Sequence, residues 1–108
     1  MIVVSYASKQ LAECCTKFEL AQERWGSTDA QALIELIADI EALDNATDLV
    51  DFYGDIVMQD EVLSVEFSPN CSARLKPSGR KVAKLADGTI AWDLVRRLII
   101  LEIMETAA

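Results

Sequence analysis

Seven of the ten cationic side chains fall between residues 74 and 100: Arg74, Lys76, Arg80, Lys81, Lys84, Arg96 and Arg97. Only Asp87 and Asp93 oppose them there, so this stretch carries +5. Guanidinium and ammonium groups at such density suit phosphate, which accepts charge-assisted hydrogen bonds from both. The rest of the chain has the opposite sign. Residues 1–73 set Lys9, Lys17 and Arg24 against fourteen acids, a balance of −11, and Glu102 and Glu105 bring the total to −8. That total excludes indiscriminate coating of nucleic acid, which needs cationic surface throughout. The split instead points to an anionic partner for one face, or to attraction between the two parts within the fold or within an oligomer.

The chain has no histidine. This excludes a Ser-His-Asp triad, a Cys-His nucleophile pair and any zinc site that uses histidine. Cys14 and Cys15 are adjacent and Cys71 is remote. They form neither a C-x-x-C motif nor an even disulfide framework, and read as small hydrophobes. No metal and no cofactor is expected. The opening MIVVSYASK lacks the cationic start of a signal peptide, and the longest apolar run, Leu98 to Leu101, is too short to span a bilayer. A cytoplasmic protein without membrane contact is expected. With 52% apolar and 26% charged residues over 108 positions, the composition is that of one globular domain, residues 1–108.

The elements that must position the cations follow from periodicity. Ile2 to Tyr6 is β-branched and alternating, a short strand. Ser8 caps a helix with the stripe Leu11, Cys15, Phe18 and Trp25, which Gly26 ends. Thr28, with Gln31 as capping-box partner, opens a second helix striped by Leu33, Leu36, Ile37, Ile40 and Leu43. Thr47 to Phe52 reads as one further helical turn. From Ile56 the period changes. Leu63, Val65 and Phe67 alternate with Val62, Ser64 and Glu66 in a half-buried strand, and Ser68-Pro69-Asn70 is a turn. Ala73 to Lys76 returns with Arg74 and Lys76 on one face. Pro77-Ser78-Gly79 breaks that strand, and residues 80–90 form a loop containing Asp87-Gly88. Trp92 to Val95 turns into an apolar final strand, Arg97 to Met104, in the sheet interior. The expected fold is α+β, in the order β-α-α-β-β-β, with a helical hairpin packed on a small, mainly antiparallel sheet.

Four segments then carry a resemblance: Val62-Leu63-Ser64-Val65-Glu66-Phe67, Ala73-Arg74-Leu75-Lys76-Pro77, Leu85-Ala86-Asp87-Gly88-Thr89-Ile90-Ala91-Trp92 and Leu101-Glu102-Ile103. With the short first strand and helical hairpin, they resemble the RelE/ParE superfamily of bacterial toxins, and most closely its HigB-like plasmid-maintenance killer proteins. The resemblance implies a RelE-like fold, a ribosome-dependent mRNA interferase, and neutralisation by a cognate antitoxin, often a helix-turn-helix protein. Arg74 matches the family's strand arginine and would carry phosphate charge, with Arg97 as a second catalytic candidate. Lys76, Arg80, Lys81, Lys84, Arg96 and Trp92 would contact RNA. The other reading of each cation is a solvated or ion-paired surface group, and that of Trp92 an anchor for its loop.

One departure bears on activity. Related proteins end the last strand with a Tyr-His-type pair, where this chain reads Met104-Glu105-Thr106-Ala107-Ala108. Glu102 and Glu105 are the acids near Arg97, and Glu102 reads first as a strand-face partner of a nearby cation. The expectation is a toxin fold in which any endoribonuclease activity is weak or lost. The alternatives are a non-catalytic module that binds an antitoxin or regulates its operon, and a homo-oligomeric interaction protein, such as a homodimer, in which acidic helices meet basic strands.

Overall fold

The computed structural model describes residues 1–53, 56–59, 61–69, 71–79, 82 and 84–105. Arg80, Lys81, Asn70 and the three C-terminal residues lie outside the described residues. The chain runs β1 (Val3–Tyr6), α1 (Lys9–Thr16), α2 (Phe18–Trp25), α3 (Ser27–Ala42), α4 (Ala46–Tyr53), β2 (Val57–Gln59), β3 (Val62–Ser68), β4 (Cys71–Pro77), a 3₁₀ turn (Trp92–Leu94) and β5 (Arg97–Glu105). The class is α+β. The sheet has five strands in the order β1-β5-β4-β3-β2. β1 pairs parallel with β5, and every other pairing is antiparallel.

The helices differ from the expected hairpin in three places. A single helix from Ser8 to Gly26 is replaced by two. Lys17 leaves helical geometry with φ −116° and ψ 109°, while Ser8 caps α1 by accepting from the Leu11 N–H. Thr16 hydroxyl donates to the Ala12 carbonyl at 2.7 Å. This is the back-bonding by which β-branched hydroxyl residues weaken a helix interior. The break rotates the stripe, so Phe18 is exposed and Ala21 is buried in its place. The capping box is also absent. Gly26, at φ +86°, stands at the N-cap of α3 without a side-chain cap, and the Gln31 amide donates to Glu35 instead. Thr47 to Phe52 is not one turn but the middle of α4, capped by Asn45 Oδ1, which accepts from the Asp48 N–H at 3.0 Å.

The α3 stripe lies where its spacing requires: Leu33, Leu36, Ile37 and Ile40 are buried, and Leu43 packs at the margin. They meet Leu63 and Val65 of β3, Ala73 and Leu75 of β4, and Leu98 and Ile100 of β5. Along β4 burial alternates strictly: Cys71, Ala73, Leu75 and Pro77 are buried, while Ser72, Arg74 and Lys76 are not. The helices therefore cover one face of the sheet and leave the other open. β5 sits between β1 and β4 as an interior strand, yet Ile99 remains half-exposed because it points to the open face. The described residues contain no helix long and apolar enough to cross a membrane.

Leu63 and Ile40 are both fully buried, one on the sheet and one on α3. Leu63→Ala or Ile40→Ala is expected to lower unfolding free energy by about 2–5 kcal/mol. In urea titration, the midpoint should fall at unchanged slope. Phe18→Ala, at a position 38% exposed, should lower the midpoint less than either core truncation.

Candidate functional site

The open face of the sheet gathers the strand-borne cations. Arg74 and Lys76 project from it because β4 alternates, and Lys76 lies opposite Ile99 of β5. Arg97, two residues before Ile99, is on the same face at the register of Val3. Neighbouring same-face positions along a strand are about 6.6 Å apart. Arg74, Lys76 and Arg97 thus form a short row across two adjacent strands.

Their electrostatic states differ. Between Arg74 and Leu75 the β4–β5 register shifts, so Arg74 faces Glu102 while Leu75 faces Ile100. The extra residue, Leu101, is a bulge in β5 that aims Glu102 at the guanidinium. Arg74 Nη1 donates to Glu102 Oε1 at 3.1 Å, with the two side chains 41% and 50% exposed. An ion pair this exposed is worth about 0–1 kcal/mol, so an incoming anion can displace it. Among the described residues no acid pairs with Lys76, Arg96 or Arg97.

Lys84 is set apart from this row. It forms an isolated bridge with Ile90, and its Nζ lies 3.8 Å from Glu61 Oε1. Glu61 occupies the turn into β3 with φ +67°. Between the bridge residues the loop is closed by hydrogen bonds from Leu85 N–H to the Thr89 carbonyl and from Gly88 N–H to the Leu85 carbonyl. Asp87 accepts from the hydroxyl of Thr89 at 2.6 Å and from its N–H at 3.0 Å. These bonds hold its carboxyl below the usual carboxylate range. The Asp87-Gly88 segment is therefore a self-closed turn. Trp92, in the 3₁₀ turn, is half-buried against the core and anchors the loop where it re-enters the sheet. Arg96 lies between that turn and β5, and shares with Arg97 a cleft of about 180 Å³.

Neither phenol reaches the row. Tyr6 is half-buried near Cys15 and Glu41 on the helix side, and burial pushes its pKa up to about 12. Tyr53 donates its hydroxyl to Asp39 Oδ2 at 3.1 Å. Burial, with that bond, raises its pKa well above the ordinary value. Cys15 is likewise pushed up to about 12 by burial, then by Cys14. No group of three or more potential metal ligands occurs among the described residues.

The spacing of Arg74 and Lys76 on one face was legible in the sequence. The Arg74–Glu102 match was not, because it depends on a bulge. The same holds for Ser78, Leu94 and Val95, which line the Arg96–Arg97 cleft. Only their closeness in sequence to Pro77 and Arg96 hinted at it. Comparison of the chain with known protein families, curated proteins and solved structures yields no match.

The phenols make a pH prediction. Each has a folded pKa above its ordinary value near 10, so the folded state holds more protons there and stability falls as pH rises past 10. Cys15 is raised in the same way from an ordinary thiol value near 9. Urea midpoints measured from pH 7 to 11.5 should therefore begin to decline above about pH 8.5 and fall more steeply past 10, where the phenols add to it. Tyr53→Phe should flatten the decline past 10, and an unchanged slope there would exclude Tyr53 as a source.

Proposed function

We propose that the chain is a RelE/HigB-like member of a toxin–antitoxin system, and that its open sheet face binds RNA with weak or no cleavage. One observation carries this reading. Lys76 and Arg97 stand on the uncovered face with no acidic partner among the described residues, beside an arginine whose only restraint is an exposed carboxylate. Arg74 and Arg97 would take the charge of the scissile phosphate, and Lys76 that of its neighbour. Arg96 would extend the row. Lys84, held toward Glu61, would contribute only long-range potential, and Arg80 and Lys81 are carried from the sequence resemblance alone. Trp92 serves as anchor rather than stacking platform.

Cleavage by attack of a 2′-hydroxyl needs a base for its proton and an acid for the leaving oxygen. On this face Glu102 is engaged by Arg74, and Glu66 of β3, at the register of Ser72, is exposed to water, which leaves it an ordinary surface carboxylate. The described phenols lie on the helix side, and no histidine exists. This favours retention of binding over turnover, and a cytoplasmic role alongside a cognate antitoxin, with the ribosome or mRNA as the RNA partner. The acidic helical body offers a second surface for a basic antitoxin segment.

Fluorescence anisotropy with a labelled single-stranded RNA tests the reading. Affinity should fall with salt at a log–log slope of about −2 for three phosphate contacts, and Lys76→Ala should reduce that slope by about 0.7. Arg74→Ala should weaken binding several-fold. Salt-independent binding, or none, overturns the reading. Rapid mRNA cleavage in a translating lysate would overturn the loss of activity but not the family.

Glu102→Gln separates the competing roles of that carboxylate. Freed of its partner, Arg74 should bind RNA several-fold more tightly than in the parent. If Glu102 instead served as the base, the same change would abolish cleavage without raising affinity.

A further inference from the structure

The cleft beside the cation row has a composition unlike the rest of the open face. It is framed by Pro77 and Ser78 at the end of β4, Leu94 and Val95 after the 3₁₀ turn, and Arg96 and Arg97 at the start of β5. Among the described residues its only charged lining groups are the two arginines, and neither has an ion-pair partner there. Leu94 is 58% exposed on its rim, while Val95 is buried. A large apolar side chain left in water beside two unpaired guanidinium groups suits a ligand that is apolar on one side and anionic on the other.

The cleft is also held in shape before any ligand arrives. Ser78 N–H donates to the Arg97 carbonyl at 3.0 Å, Val3 N–H to the Arg96 carbonyl at 2.9 Å, and Ala46 N–H to the Val95 carbonyl at 3.0 Å. Three consecutive residues are thus fixed by β4, β1 and α4, and the Ser78 hydroxyl has no partner among the described residues. At about 180 Å³ the space is smaller than the roughly 300–1,000 Å³ that encloses a drug-sized ligand. It has room for one ring and not for a whole nucleotide.

We infer that this cleft receives a single unstacked nucleobase of the RNA whose phosphates lie over Arg74, Lys76 and Arg97. The ring packs against Leu94 and Val95. Arg96 and Arg97 hold the adjoining phosphate, and an arginine plane can also cover the base. The inference rests on the RNA-binding reading of the open face and adds to it a base-binding subsite at one end of the row. Such a subsite makes the protein select single-stranded over duplex RNA, because a paired base cannot enter.

The test compares a labelled five-nucleotide RNA with versions carrying one abasic position each. With the parent protein, one abasic position should weaken binding about 5- to 10-fold while the others change it little. Leu94→Asp alters an exposed rim position and places a carboxylate beside both arginines. It should bind the intact and abasic RNAs alike. Equal affinity of the parent for every abasic RNA overturns the subsite while leaving RNA binding intact, as does discrimination that survives in Leu94→Asp. If the parent binds no RNA, the reading of the face fails, and the cleft is decided by titrating adenosine and uridine 5′-monophosphates. Methyl shifts at Leu94 and Val95 that vanish in Arg96→Ala support it as a nucleotide site, and unmoved methyls overturn it.

Discussion

The structure depends on β5 being paired on both sides. Its first four residues, Arg97 to Ile100, lie parallel to β1, and its whole length lies antiparallel to β4. The parallel pairing joins the two ends of the sequence, so the loop it closes contains every helix and the other three strands. Closure of a long loop costs only slightly more than closure of a moderate one, since the entropy grows with the logarithm of length. Burial of Ile2, Leu98 and Ile100 offsets it. Arg96, at the mouth of this seam, gives its carbonyl to the Val3 N–H. The backbone of the segment that carries two cations is thereby held from both sides, by Val3 and by Ser78.

That seam also dictates a one-sided sheet. Four helices occupy the connection between β1 and β2: α1 and α3 meet the strands, α2 packs on α1 and α3, and α4 on the 3₁₀ turn. A strand residue on the open face is then free to be charged, whereas the same residue shifted by one position would enter the core. The charge division of the sequence becomes spatial as a result. Acids decorate the helices, and cations cluster on β4, on β5 and at the approach to it. At physiological ionic strength charges are screened over about 8 Å. The local row of cations, rather than the total of −8, therefore governs what an anion near the open face experiences.

What the sequence made legible was periodic. The α3 stripe, the alternation of β3 and β4, and the apolar final strand all emerge at their expected places, because each is set by which side chains must leave water. Single side-chain choices were less legible. The chain leaves helical geometry at Lys17, beside Thr16 bonded back to Ala12, where apolar spacing alone would continue the helix, and Gly26 caps α3 where Thr28 and Gln31 offered a capping box. β2 is short, and its pairing with β3 is non-local in origin, so a three-residue strand carried no periodic signal. At the site, alternation alone set Arg74 beside Lys76. A one-residue bulge decided which carboxylate meets Arg74, and no period predicts a bulge.

The bulge has a chemical consequence that sharpens the reading of this face. Without Leu101 as an extra residue, the register that pairs Leu75 with Ile100 would continue and set Leu101, not Glu102, opposite Arg74. The insertion replaces an apolar neighbour with a carboxylate, and so gives the guanidinium an internal substitute for phosphate. The contact is weak at this exposure, yet any anion approaching Arg74 must displace a carboxylate before it binds. Lys76 and Arg97 carry no such requirement. On the proposed reading, encounter therefore begins at these two unpaired cations, and Arg74 engages second, once a phosphate is already close enough to compete with Glu102. A face built in this way discriminates by charge density: an isolated anion gains one contact, whereas a strand bearing several phosphates gains the row.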